Sequence, residues 1–322
     1  MSNFAEQIRI EELARKCPGF ARVRTLETVV AKGREFPIYA FEIGSQDPEA
    51  PVFALFGGVH GLERVGTHVA LAYLESLFAQ AEWDKDLRKR FETCRIVSIP
   101  LINPAGMFFG QRSNMNGIDL MRNSPTRSKE SVPYLLGGHH IGPNLPWYMG
   151  PEGSTEMELE AQVLVNFVKE QCFQSKAVLC LDIHSGFGMK DRLWYPYAKT
   201  AEAFPALPEV QNVRRLLDLS YPNHIYAVEP QSESYTTHGD LWDYIFDEHL
   251  ATNLDFKRAF IPWTLEIGSW LWIRKNPRQL FSALGPFNPI KIHRHRRTMR
   301  RHLPLLDFFL RSVSNYQSWI RK

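Results

Sequence analysis

The chain has 322 residues, 44% of them hydrophobic and 12% aromatic, which is enough apolar material for a sizeable core in one large domain or two. Its formal net charge is only +3, so the composition demands no nucleic-acid partner. No apolar run reaches the ~20 residues of a membrane span, residues 1–15 lack the apolar stretch of a signal peptide, and Cys17, Cys94, Cys172 and Cys180 show neither C-x-x-C spacing nor a disulfide framework, so a soluble cytoplasmic protein is expected.

Residues 5–16 read as a short helix ended by Cys17-Pro18-Gly19. Two β-type runs, 22–30 and 36–43, are joined through Lys32-Gly33-Arg34 as a hairpin. Residues 51–57 form a first core strand, and 62–80 a helix whose Val65, Val69, Leu71, Ala72, Leu77 and Phe78 fit one face. A more polar helix over 84–91 leads to a strand at 95–101. The stretch 103–153 is rich in Gly, Pro and Asn; it leaves a core strand directly and carries several arginines, which favours a functional loop. A helix over 155–173, with Ser154 or Thr155 as cap, precedes an apolar strand at 177–183. A short strand at 192–195, a helix at 209–219, a loop to 237, a helix at 240–250, a strand at 260–267 and a final helix over 289–311 complete the chain. Alternating strands and helices at this density predict a parallel or mixed sheet covered on both faces. Neither an internal repeat nor a domain linker is visible. The basic tract from Lys291 to Arg301 reads as a solvated helix face, since Leu303, Leu305, Leu306, Phe308 and Phe309 continue it into a packing surface.

The chemistry concentrates at Gly57-Gly58-Val59-His60-Gly61-Leu62-Glu63, where a buried strand ends in glycines, a histidine and, three residues later, a carboxylate. With a helix opening near Leu62, His60 and Glu63 stand about one turn apart and converge. A catalytic metal site typically takes three protein ligands and leaves a position for water. His184 supplies the third candidate: it closes the strand Ala177-Val178-Leu179-Cys180-Leu181-Asp182-Ile183 before Ser185-Gly186, and ligands gather at the carboxyl ends of parallel strands. Each histidine alone is more often structural, and the joint pattern is what points to a metal. His68 and the pair His139-His140 read as packing or surface residues. A glutamate in the apolar run Phe260-Ile261-Pro262-Trp263-Thr264-Leu265-Glu266 is costly to bury without a task, which makes Glu266 the candidate general base. Positive charge for an oxyanion or a substrate carboxylate is available from Arg112 and Arg122.

The ordered series His60-x-x-Glu63, Asn103-Pro104-Ala105-Gly106, Gly110-x-Arg112, Gly117-Ile118-Asp119-Leu120-Met121-Arg122-Asn123, His184-Ser185-Gly186 and Thr264-Leu265-Glu266 resembles the zinc carboxypeptidase family. The resemblance runs from about residue 52 to residue 268. It implies one α/β domain over 1–322, with a mixed, mostly parallel sheet of about eight strands flanked by helices. It further implies a single Zn2+ held by His60, Glu63 and His184, with Glu266 as general base and Arg112 stabilising the oxyanion. Arg122 would grip a terminal carboxylate, Asp119 would orient the first ligand histidine, and Tyr235 stands where the family's mobile capping tyrosine is expected.

Three places depart from the pattern, the first being Gly61-Leu62 between His60 and Glu63, which lacks the arginine found in digestive members. Met121 replaces an asparagine that shares the terminal carboxylate with the neighbouring arginine, and a thioether cannot donate to an oxygen. Ala105 replaces the aspartate of an Asn-Pro-Asp-Gly motif. The hydrolytic residues are therefore kept while those that choose the substrate are altered. The expected activity is zinc-dependent hydrolysis of a peptide or peptide-like amide bond on a small peptide or acyl amino acid, without nucleic-acid or membrane partners. An N-acyl amino acid deacylase or a murein-peptide amidase is the alternative within enzymes, and a zinc-binding module without turnover the alternative outside them.

Overall fold

The computed structural model describes residues 4–154, 156–254 and 257–321. Its centre is an eight-stranded sheet in the order β1-β2-β4-β3-β5-β8-β6-β7. The strands are β1 (Ala21–Ala31), β2 (Arg34–Gly44), β3 (Val52–Gly57), β4 (Arg95–Ile99), β5 (Ala177–Ser185), β6 (Arg192–Tyr195), β7 (Ala227–Pro230) and β8 (Ala259–Ile267). Pairings among β4, β3, β5 and β8 are parallel, as is β6 with β7, while β1, β2 and the β6–β8 seam are antiparallel. The expected mixed α/β architecture is therefore present. Every residue of β3 and β5 is buried, as strands covered on both faces must be, and this explains the apolar runs 52–56 and 177–181.

The β1–β2 hairpin closes on two residues, Lys32 at φ 49° and Gly33 at φ 72°. Two left-handed residues in succession match the twist of the flanking strands, and glycine at the second makes the turn inexpensive.

The helices are α1 (Ala5–Arg15), α2 (Arg64–Ala81), α3 (Lys85–Arg90), α4 (Pro104–Phe109), α5 (Leu159–Cys172), α6 (Leu207–Ser220), α7 (Leu241–Thr252), α8 (Trp270–Lys275) and α9 (Ile292–Ser314). Helix α2 opens at Arg64, two residues after Leu62, because Glu63 occupies the position before the first turn with non-helical backbone (φ −94°, ψ 54°). It lies so close to β5 that a Cβ on Gly66 would stand 2.2 Å from the Ile183 carbonyl oxygen. Helix α9 lays Leu305, Leu306, Phe309, Leu310 and Val313 on the sheet, with Phe309 stacked on Phe53 at 5.7 Å. In its amino-terminal half Arg296, Arg297, Arg300 and Arg301 are exposed while Thr298 and His302 are buried, and the packing surface expected after the basic tract is present.

Three expectations shift. Helix α5 begins at Leu159 after Glu158, with no side-chain cap; Ser154 lies outside the helix and Thr155 outside the described residues. The stretch expected as a loop to residue 237 contains β7, and the long loop after β4 contains α4 and a 3-10 turn at Leu120–Arg122. The four cysteines are free. Among the described residues no helix is long and apolar enough to cross a membrane.

Candidate metal centre

The site lies beyond the carboxyl ends of β3, β5 and β8. After β3 the chain turns through Gly57 and Gly58, whose carbonyls accept from Ile102 and Asn103. The Asn103 amide also donates to Val59 O at 3.2 Å and to Ser113 O at 3.0 Å, fastening the His60 loop to the segment that carries Arg112. The convergence of His60 and Glu63 comes from this pinned turn, in which Glu63 N donates to His60 O at 3.0 Å, rather than from a helical face. On the neighbouring strands, His184 of β5 sits opposite Glu266 of β8 in parallel register, which places both side chains on one side of the sheet.

His60 Nδ1 lies 2.8 Å from Glu63 Oε1, and His184 Nδ1 lies 3.2 Å from Glu63 Oε2. The backbone N–H of Ser185 adds a bond to Oε2 at 2.9 Å. The far nitrogens are anchored: His60 Nε2 is 3.0 Å from Asp119 Oδ1, and His184 Nε2 donates to Asp182 Oδ2 at 2.7 Å. All five side chains are buried. Ligand atoms of His60, Glu63 and His184 fall within 4.8 Å of one another, close enough for one ion to bridge them. Two imidazoles whose outer nitrogens are held by carboxylates, together with one carboxylate, make a donor set that fits zinc. Nδ1 of both histidines is the nitrogen that faces the Glu63 carboxylate.

The charges are interlocked. Burial alone would raise the Glu63 carboxyl, but His60 and His184 outweigh it and hold it well below the usual range. Burial likewise opposes charge on His184, and the carboxylates of Asp182 and Glu63 override it, pushing this imidazole well above its ordinary value; a cation must displace that proton to bind. Asp119 is held well down by Arg112 and His60 against the effect of burial. Glu266 moves the other way: burial, reinforced by the Glu63 charge, pushes it up to about 8, although Phe187 N donates to its Oε1 at 2.9 Å.

Arg112 is already committed. Its Nη1 donates to Glu63 Oε1 and its Nε to Asp119 Oδ2, each at 2.9 Å, and Nη2 stands 3.0 Å from His60 Nε2. Arg122 is buried, with Nε and Nη2 donating to Leu136 O and Nη1 to Met121 O. Both arginines line a cleft of about 290 Å³ together with His60, Glu63, Met121, His184, Tyr235 and Glu266. Tyr235 packs its ring against Phe187 at 5.5 Å and Trp194 at 6.0 Å, and burial raises its hydroxyl pKa. The candidate ligands, the candidate base, both arginines, Met121 and Tyr235 thus all reach this cleft, while Asp119 stands behind His60 and Ala105, buried in α4, does not line it.

Asp182 escaped sequence reasoning. It is a carboxylate in an otherwise apolar strand, two residues before His184 and so on the same face. The argument that singles out Glu266 applies to it equally. Its Oδ2 accepts a second bond, from Trp242 Nε1 at 3.0 Å. The aromatic walls of Phe187, Trp194 and Phe287 also gave no signal, since their approach depends on tertiary folding.

The fold and the residues at its carboxyl edge define an α/β protein with a buried His–Glu–His set that could hold a metal ion. The chain belongs to the zinc carboxypeptidase family, whose model matches residues 8–256. Glu266 lies beyond that match, and its place opposite His184 is a property of the fold. The human carboxypeptidase N catalytic chain is 25% identical over 223 residues, 65% of this chain and 45% of that protein. Mouse carboxypeptidase D is 30% identical over 132 residues, 37% of this chain and 9% of its own length. The chain thus spans less than half the length of these curated relatives. Bovine thrombin-activatable fibrinolysis inhibitor, solved in complex with tick carboxypeptidase inhibitor, superposes with a TM-score of 0.67 at 16% identity over 95% of both chains. Carboxypeptidase A from Helicoverpa armigera does so with a TM-score of 0.57 at 20% identity, covering 92% of this chain and 71% of that one.

Proposed function

We propose that this chain is a single catalytic domain that hydrolyses a peptide or peptide-like amide bond, using one zinc ion held by His60, Glu63 and His184. The observation that carries the reading is the meeting of these three donors within 4.8 Å, in the same cleft as a buried Glu266 whose carboxyl is raised to about 8. When bound in such a set, zinc supplies Lewis acidity and makes water a nucleophile near neutral pH.

The chain's own residues do the rest. Glu266 takes the proton of the attacking water and returns it to the nitrogen of the departing amine; a bound cation would offset the Glu63 charge that helps raise this carboxyl, and so would favour the ionised form that accepts the proton. Phe187 N–H holds Oε1, which leaves Oε2 for the proton. Arg112 keeps its Nε bond to Asp119 while its Nη atoms, now facing Glu63 and His60, donate to the developing oxyanion. Asp119 and Asp182 hold the two imidazoles in the tautomer that leaves Nδ1 free for the ion. Arg122 receives a carboxylate or other acceptor on the substrate, and Tyr235 closes over it among Phe187 and Trp194.

Met121 beside Arg122 offers no donor to a carboxylate, which favours amide substrates without an ordinary free α-carboxylate, such as murein-type peptides; an N-acyl amino acid keeps that carboxylate and would have to bind it through Arg122 alone. A cytoplasmic location belongs to the same reading, and the four free cysteines support it.

The test is Glu266→Gln assayed on short peptides and on acyl amino acids. Turnover should fall by at least about a hundredfold, the lower range of general-base contributions, while bound zinc stays near the wild-type level. Retained turnover would remove Glu266 from the mechanism. A wild-type protein that binds zinc and cleaves neither substrate class would favour a binding module.

A further inference from the structure

From residue 267 to residue 306 the chain holds nine of its 38 Lys and Arg residues and none of its 35 Asp and Glu, which leaves the remainder acidic at 29 against 35. Such a block within a nearly balanced chain is a local field. Two of the nine are engaged: Arg294 donates to Trp272 O and Arg301 pairs with Asp191. The other seven, Arg300 among them, are exposed and have no acidic partner among the described residues.

The same stretch turns large apolar side chains outward. Phe281 is 93% exposed and Ile292 72%, while Leu280, Ile290 and Trp270 stand about half exposed. This is not slack chain. Gln279 donates to Gly285 O and Asn288 O, Ser269 Oγ to Pro286 O, and Asn288 binds Leu62 O and Val65 N at the foot of α2. Fixed, protruding apolar residues fringed by unpaired cations have no use in water. Phe287 of this segment also lines the active-site cleft, so surface and cleft share a wall.

We propose that residues 270–300 form a surface that docks on an anionic lipid bilayer, with Phe281 and Ile292 entering the headgroup boundary and Arg274, Lys275, Arg278, Lys291, Arg296 and Arg297 meeting lipid phosphates. A nucleic-acid backbone would use the cations but not the exposed Phe281 and Ile292, whereas an interfacial surface needs both. The expectation of no membrane partner rested on the lack of a spanning run, and adsorption needs none.

The experiment is co-sedimentation of the full chain with vesicles of phosphatidylcholine alone or mixed equally with phosphatidylglycerol. Salt is set at about 0.1 M, where charges act over roughly 10 Å, and at about 1 M, where they act over roughly 3 Å. Mixed vesicles should capture the protein at low salt, and neutral vesicles should not. The double variant Phe281→Ser/Ile292→Ser, which leaves every charge in place, should weaken capture by at least about tenfold, since each side chain contributes partial burial of a large apolar surface. Arg296→Glu/Arg297→Glu should do the same and reduce the salt dependence. The proposal is overturned if mixed vesicles fail to capture the protein, if Phe281→Ser/Ile292→Ser binds like wild type, or if duplex DNA binds more tightly than mixed vesicles at equal salt.

Discussion

Replacing Asp182 by asparagine isolates what the carboxylate behind His184 contributes. The side chain is fully buried, and its Oδ2 accepts from His184 Nε2 at 2.7 Å and from Trp242 Nε1 at 3.0 Å. Asparagine keeps the shape and one acceptor oxygen but removes the charge that makes Nδ1 of His184 a strong donor to a cation. Charge-assisted hydrogen bonds are roughly twice as strong as neutral ones, and loss of such an outer partner typically lowers metal affinity about 10- to 100-fold, or about 1.4–2.8 kcal/mol. The new amide group would take the place of Oδ1, which has no partner, so a stability loss of about 1 kcal/mol should accompany it. Alanine is the harsher comparison, because it also strands two buried N–H groups. Zinc competition against a chromophoric chelator at fixed pH measures affinity, and urea unfolding of the metal-free protein measures stability. An unchanged zinc affinity in Asp182→Asn, with the protein folded, would refute the idea that this carboxylate tunes His184.

Met121→Asn should restore a donor beside Arg122 and raise kcat/KM on substrates with a free α-carboxylate by about tenfold, the worth of one hydrogen bond to a charged group; no change would mean that Arg122 faces some other part of the substrate. Glu6 anchors α1 through Arg64 Nη1 at 2.8 Å and His68 Nε2 at 3.0 Å. Burial pushes its carboxyl upward, but the His68 hydrogen bond and the Arg64 charge outweigh it and bring the pKa from 4.5 down to about 2. A depressed carboxyl contributes stability in full above pH 4.5 and loses it as pH falls through 2, amounting to at most about 3 kcal/mol. Unfolding of Glu6→Gln followed against pH should therefore show its full deficit near neutrality and a shrinking one between pH 4.5 and 2, and a pH-independent deficit would contradict the assignment.

Much of this molecule was legible in its sequence, for identifiable reasons. The core strands announce themselves because burial on both faces allows only apolar residues, and a carboxylate or histidine at the end of such a run stands out; His60, Glu63, His184 and Glu266 were found that way. Strand β7 was not, since Ala227–Pro230 is four half-buried residues at a sheet edge and carries no periodicity. Helix α8 is only six residues long and lacks a side-chain cap. The start of α2 was misplaced because the turn that joins His60 to Glu63 is imposed by Asn103 and Arg112, which are distant in sequence. Asp182 carries the same signal as Glu266, a carboxylate in an apolar run on the face of His184, whereas the double engagement of Arg112 with Glu63 and Asp119 exists only in three dimensions.

The most direct measurement is anomalous diffraction at the zinc edge from crystals of the zinc-loaded protein. One peak is expected about 2.0–2.1 Å from Nδ1 of both His60 and His184, with a Glu63 oxygen completing the protein ligands and Glu266 within hydrogen-bond reach of the remaining position. A peak elsewhere, or none at this site in protein that carries stoichiometric zinc, would contradict the account.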